Sequence, residues 1–220
     1  MRELRPGLWH WEAPHPEWEP GEPWDRVVSS YAIDDGERLL LFDPLAVPSE
    51  IEERATDRDP VVVLTAAWLS ATREAWWSGS ARRCSCLRPT VKGTSCGSTV
   101  SLPSRLPGAA RTWPGCLPKT RLTGTCFRPA IGCPVEVEAF PGREHNDLVL
   151  WIERHRAVIA GDTLVDLGRG LEIPAEWLRQ GVTREQITDG VRPLLELPVD
   201  VVLATHGGPT DWTALERALS

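Results

Sequence analysis

The stretch Arg156-Ala157-Val158-Ile159-Ala160-Gly161-Asp162-Thr163-Leu164-Val165 decides how the rest of the chain is read. Ala157 to Ala160 is an apolar run of the length of a buried strand. It opens at Gly161-Asp162, which puts a carboxylate where the strand becomes a loop. In α/β architectures the C-terminal edges of strands are where chemistry is placed. A second run, Val199 to Thr205, ends in the same manner with His206-Gly207-Gly208. Two apolar strands are thus each followed by a side chain able to bind metal and by glycine.

Working outward, Val135 to Phe140 alternates as a strand, and Leu148 to Ile152 is another. Between them lies Pro141-Gly142-Arg143-Glu144-His145-Asn146-Asp147, a loop of turn and ligating residues. Pro174 to Arg179 reads as a short helix. Thr183 with Gln186 forms a capping-box pattern for a helix to about Leu195, and Thr210 is placed to cap a closing helix over 211–219. On the N-terminal side, Val27–Ile33 and Arg38–Asp43 flank the turn signal Asp34-Asp35-Gly36 and read as a hairpin. Ser49 is placed to cap a helix to Arg54, and Pro60 to Thr65 is a further buried strand. Residues 1–25 are rich in Trp, Pro and Glu and read as an extended segment pinned by aromatics. His10 and His15 fall within it and read as packing or surface residues rather than ligands.

The 220 residues suffice for one domain of moderate size, and the expectation is a single domain over 1–220. A net charge of −7 argues against nucleic acid or an anionic membrane surface as partner. No signal-like apolar segment opens the chain and no run is long enough to span a bilayer, so the expected location is the cytoplasm.

Charge is distributed unevenly. From Ala75 to Val135 there is no Asp or Glu, while nine of the 24 basic residues lie there. All six cysteines and both lysines, Lys92 and Lys119, fall in the same segment. From Leu69 to about Cys133 no period of 3.6 or 2 persists, and a loop of that length is foreign to a compact domain. A disulfide framework is not expected in the cytoplasm, and no C-x2-C pair supports a zinc site. Codon degeneracy permits another reading of 69–90. The third base of each codon with the first two of the next can spell ERDTRGLVERLGAPVFVPPPD, a charged helix followed by a β-run. The expectation is that about 69–130 is translated out of frame, leaving irregular structure over 70–133.

Asp43, His145, Asp162 and His206 each sit at the end of a strand or in the loop after one. Imidazole and carboxylate are the usual ligands of zinc or iron in hydrolytic sites, where bound water ionises near neutral pH. Each residue alone is compatible with a turn or surface role; their order is what carries information. That order resembles the metallo-β-lactamase-fold hydrolases, through Leu41-Phe42-Asp43-Pro44, Val61-Val62-Val63-Leu64-Thr65, Phe140-Pro141-Gly142 with His145, Ala160-Gly161-Asp162-Thr163-Leu164 and Ala204-Thr205-His206-Gly207-Gly208-Pro209. The resemblance covers about 1–68 and 134–220.

The resemblance implies an αββα sandwich, two mixed β-sheets flanked by helices. It implies a metal-dependent hydrolase that cleaves an ester, thioester or lactone-type bond of a small-molecule substrate, with one or two zinc or iron ions. Asp162 would be the metal-bridging carboxylate and catalytic centre, His206 and His145 metal ligands, and Asp43 the acid that supports the metal loop. Two departures stand out. Arg143 takes the place directly after Pro-Gly where the family usually has its histidine. The loop Thr65-Ala66-Ala67-Trp68-Leu69-Ser70-Ala71-Thr72 carries none of the H-x-H-x-D-H ligands. The alternative reading is therefore a non-catalytic relative, or a frameshifted product lacking a complete metal site. Substrate and oligomeric state are not legible in the sequence.

Overall fold

The computed structural model describes residues 1–66, 83–84, 137–143 and 147–220. Within them the chain builds two sheets. The first has six strands in sequential order: β1 (Arg2–Arg5), β2 (Leu8–Pro14), β3 (Val27–Asp34), β4 (Arg38–Phe42), β5 (Asp59–Val63) and β6 (Arg83–Cys84). Pairing is antiparallel from β1 to β4 and parallel from β4 to β6. The second sheet comprises β7 (Val137–Pro141), β8 (Leu148–Ile152), β9 (Ala157–Gly161), β12 (Val201–Ala204) and β13 (Gly208–Thr210), in the order β13-β12-β9-β8-β7. It too is mixed, since β9 and β12 run parallel. A separate two-stranded ribbon pairs β10 (Val165–Asp166) with β11 (Leu171–Glu172).

Continuous apolar runs, rather than alternating ones, follow from layers that cover both faces of each sheet. Leu40 and Phe42 of β4 face the second sheet, where Leu150, Ile152 and Ile159 meet them. Leu39 and Leu41, one residue out of phase, pack with Ile51 and Ala55 of the helix α1 (Ser49–Arg54) and its end. The second sheet divides in the same way. Ala157 and Ile159 enter the core between sheets, while Val158 and Ala160 meet Val191, Leu215 and Leu219 of α2 (Arg184–Val191) and α3 (Trp212–Leu219). The architecture is the αββα sandwich: two mixed sheets face to face with helices outside.

Several local expectations need correction. The first 14 residues are extended and pinned by aromatics, but as two paired strands of the first sheet rather than as an entry segment, with Trp9 and Trp11 buried against α1's side of the sheet. His10 hydrogen-bonds Ser29 through Nε2 at 2.9 Å and stacks on Tyr31. Ser49 is the first helical residue rather than the cap; Pro48 occupies that position without a side-chain bond. The closing helix is capped by Asp211, whose carboxylate accepts from Ala214 N at 2.9 Å, one residue later than Thr210. The capping box at Thr183 and Gln186 is present, but α2 yields to a 3-10 turn at Arg192–Glu196 because Pro193 cannot extend it. The irregular segment expected over 70–133 lies outside the described residues apart from Arg83–Cys84.

Candidate functional site

Parallel pairing brings the site together. β9 and β12 are hydrogen-bonded neighbours with Leu203 opposite Ile159 and Ala204 opposite Gly161, so both C-terminal ends open at one edge. Asp162 and His206 follow those ends, and His206 Nε2 lies 3.7 Å from Asp162 Oδ1. Both are buried. Gly161 has a φ of 54°, and a Cβ there would collide with the side chain of Thr65. Only glycine lets the second sheet's edge approach the first sheet's loop this closely.

Asp43 comes from the opposite sheet. It follows β4 in the left-handed region (φ 43°), a conformation that Asp tolerates better than most residues. Its N–H donates to Val63 O at 3.0 Å. Its carboxylate accepts from Thr65 N at 2.8 Å through Oδ1 and from Thr65 Oγ1 at 2.7 Å through Oδ2. Burial pushes the Asp43 carboxyl up to about 7; the bonds from Thr65 oppose this and the charge of Asp162 adds to it.

The Pro141-Gly142-Arg143 corner leaves β7 and turns back through Gly142 N, which donates to Asp147 O at 2.8 Å. Arg143 N donates to Thr163 Oγ1 at 3.2 Å, which ties this corner to the residue after Asp162. The guanidinium then reaches into the site. Nη2 lies 3.6 Å from Asp162 Oδ2 and Nε 3.4 Å from Asp147 Oδ2. Nη1 donates to Trp177 O at 3.0 Å, and the group lies over the Trp177 ring at 5.2 Å.

His206 is held between two tryptophans, Trp24 at 5.4 Å and Trp177 at 5.2 Å, both edge-on. Burial lowers its pKa below the ordinary imidazole value, against the pull of Asp162. The neutral ring is the form that binds metal. Its Nδ1 has no hydrogen-bond partner among the described residues. Beside Trp177 lies an open cleft of about 270 Å³ lined by Pro23, Leu167, Arg169 and Glu176.

Of the residues singled out from sequence, Asp162 and His206 adjoin one another, and Asp43 stands behind them on Thr65. His145 lies outside the described residues. Sequence reasoning overlooked three contributors: Arg143 as an occupant of the site, and Trp24 and Trp177 as its walls. Arg143 was flagged only by its position after Pro-Gly; the tryptophans carry no periodic signal.

A carboxylate oxygen and a neutral imidazole nitrogen suit zinc or iron in kind. They do not suffice in number, because a catalytic zinc takes about three protein ligands. Among the described residues no group of three His, Cys, Asp or Glu converges, and the carboxylate already faces a guanidinium.

These strands, layers and strand-end residues define the metallo-β-lactamase fold. Solved metallo-β-lactamases share it. One from Erythrobacter litoralis superposes with a TM-score of 0.59 at 12% identity, covering 99% of this chain and 89% of its own. TMB-1, studied for the role of two residues in substrate and inhibitor binding, gives 0.57 at 13%, with 99% and 94% covered. VMB-1, solved at pH 5.5, gives 0.58 at 11%, with 99% and 93% covered. No protein-family profile matches the chain, and no curated sequence does.

Proposed function

We propose that this chain is built for metal-dependent hydrolysis of an ester, thioester or lactone-type bond in a small molecule, in the cytoplasm and as one domain. The observation that carries the reading is the convergence of Asp162 and His206 at the ends of two adjacent parallel strands. Asp162 and His206 would be two of the ligands, and His145 would supply a third. A bound zinc or iron ion would provide a hydroxide nucleophile near neutral pH. Asp43 would hold the loop after Thr65 in position, and Trp24 and Trp177 would screen His206 from water. The cleft beside Trp177 is the natural place for the substrate's body, being concave and next to the chemistry.

A second reading is supported by Arg143 and by Thr65-Ala66, which bring a cation and no ligand to the site. On that reading the chain is a non-catalytic relative, or a product whose segment 69–130 is translated out of frame. Metal content after purification separates the two. Stoichiometric zinc or iron that is lost in His206→Ala, together with turnover of any member of an ester, thioester and lactone panel, supports the hydrolase. A folded protein that takes up no metal and turns over none of the panel supports the second reading.

A further inference from the structure

We propose that the cleft beside Trp177 takes a small apolar ligand that carries a protonated amine, its body on Trp177, Leu167 and Pro23 and its ammonium at Glu176. The inference rests on reading this cleft as the seat of the substrate, and it is read by binding alone, without turnover.

Three segments meet at the cleft. Pro23 comes from the connection between β2 and β3, and Leu167 and Arg169 from the tip between β10 and β11. Glu176 and Trp177 belong to the 3-10 turn Ala175–Trp177. Trp177 and Trp24, the neighbour of Pro23, both meet the His206 ring, so the cleft adjoins the strand-end site. Pro23, Leu167 and the Trp177 indole give it apolar walls. Its volume of about 270 Å³ falls just below the ~300 Å³ at which sites for drug-sized ligands begin, so the occupant is a molecule with a single ring or a short chain.

The charge around it is one-sided. The wall segments 15–26 and 165–177 hold seven carboxylates and two guanidiniums, Arg26 and Arg169. Arg169 is committed within its own ribbon, where Nε and Nη2 donate to Glu172 Oε1 at 3.1 and 2.7 Å. Glu176 Oε1 lies 3.9 Å from Arg169 Nη2, beyond hydrogen-bond length, so among the described residues this cleft-lining carboxylate has no hydrogen-bonded cation. Glu22 Oε2 accepts from Trp24 Nε1 at 3.1 Å and brings a second carboxylate to the aromatic wall. A concave surface lined by one sign of charge concentrates the opposite sign. An ammonium donates to Glu176 and leaves the Arg169–Glu172 pair intact. A carboxylate would have to compete with Glu172 for Arg169 among surrounding acids, and a neutral ligand gains the apolar walls alone.

The test titrates the isotope-labelled full chain, at neutral pH and low salt, with 2-phenylethylammonium, 2-phenylethanol and phenylacetate, which share a ring and differ in charge. The indole N–H resonances of Trp24 and Trp177, identified through Trp24→Phe and Trp177→Phe, report binding. The expected result is a dissociation constant for the ammonium at least about fivefold below that of the alcohol, with phenylacetate weaker than both, and a preference that shrinks as salt is added. Glu176→Gln should bring the ammonium to within about twofold of the alcohol. Glu37→Gln, in the turn at the far end of β4, should leave the preference unchanged; both glutamates are exposed, so neither change threatens the fold. Phenylacetate binding as tightly as the ammonium overturns the proposal. So does a preference that survives Glu176→Gln or is lost equally in Glu37→Gln, and so does a Trp177 resonance unmoved by the ammonium. An ammonium preference in a chain that hydrolyses no ester, thioester or lactone defeats the hydrolase reading alone. Hydrolysis without that preference defeats the present one alone.

Discussion

Asp43 grips Thr65 at two atoms, taking the backbone N–H at 2.8 Å and the hydroxyl at 2.7 Å. With this pair the end of β4 fixes the end of β5, and Thr65 in turn offers its carbonyl to Leu148 N of the second sheet at 2.8 Å. Asp43→Ala leaves both Thr65 donors buried without that acceptor. We expect a loss of about 2–4 kcal/mol, from about 1–3 kcal/mol for each buried donor left unsatisfied with partial relaxation. Thr65→Val removes one of the two bonds and should cost less. Urea denaturation of the three proteins orders them; an Asp43→Ala protein as stable as the wild type contradicts the role.

The same carboxyl has a pH signature. Its folded pKa of about 7 lies above the ordinary Asp value of 3.8. Between about pH 4 and pH 7 the folded chain therefore holds a proton that the unfolded chain has released, so this group's contribution to stability declines as pH rises through that window. Buried His10, His155 and His206, whose pKa values are lowered, act in the opposite direction below about pH 6.5. Asp43→Asn isolates the first effect, because the amide can meet both Thr65 groups without titrating. The stability difference, Asn variant minus wild type, should grow from pH 4 to pH 7. A difference that is flat over this range removes the assignment.

Gly161→Ala should destabilise by more than about 1 kcal/mol, the ordinary penalty for a residue with a Cβ at positive φ, because it also drives a methyl group into Thr65. Thermal unfolding of this variant beside Gly168→Ala is informative. Gly168 shares the positive φ but has open space around it, so the smaller loss is expected there.

Leu150 is fully buried in the layer between the sheets. Leu150→Ala should cost about 2–5 kcal/mol, the range for cavities left in packed cores. A loss below about 1 kcal/mol in chemical denaturation would mean that the two sheets do not share the core described.

The nucleotide sequence over codons 66–134 tests the reading-frame expectation. In the alternate frame the run Val-Phe-Val falls on positions 83 to 85, and the strand β6 at Arg83–Cys84 pairs in parallel with Val61 and Val62. A codon sequence that cannot encode the shifted peptide rejects the frameshift.

The strands and their terminal residues were legible because burial on both faces writes itself as unbroken apolar runs. Leu39–Phe42, Leu148–Ile152 and Ala157–Ala160 are of this kind. Asp162 could be located as the first polar side chain after such a run, and His206 as the imidazole that follows Val201–Ala204 and Thr205. The N-terminal hairpin was not legible: His10 interrupts Trp9 and Trp11, although it is as buried as they are and satisfied by Ser29. Arg143 is the clearest miss. Its backbone position could be inferred from Pro-Gly, but where a long side chain ends depends on Trp177, 34 residues away, a distance no local pattern spans.

The ladder between β9 and β12 acts as a caliper. Asp162 and His206 are 44 positions apart in the chain, yet the register of hydrogen bonds, not the intervening chain, sets their separation. The exposed tip at Gly168-Arg169 within that excursion is therefore free to lengthen or change composition while the jaws stay at a fixed opening. Variation in such a fold can accumulate around the cleft without touching the gauge that defines it.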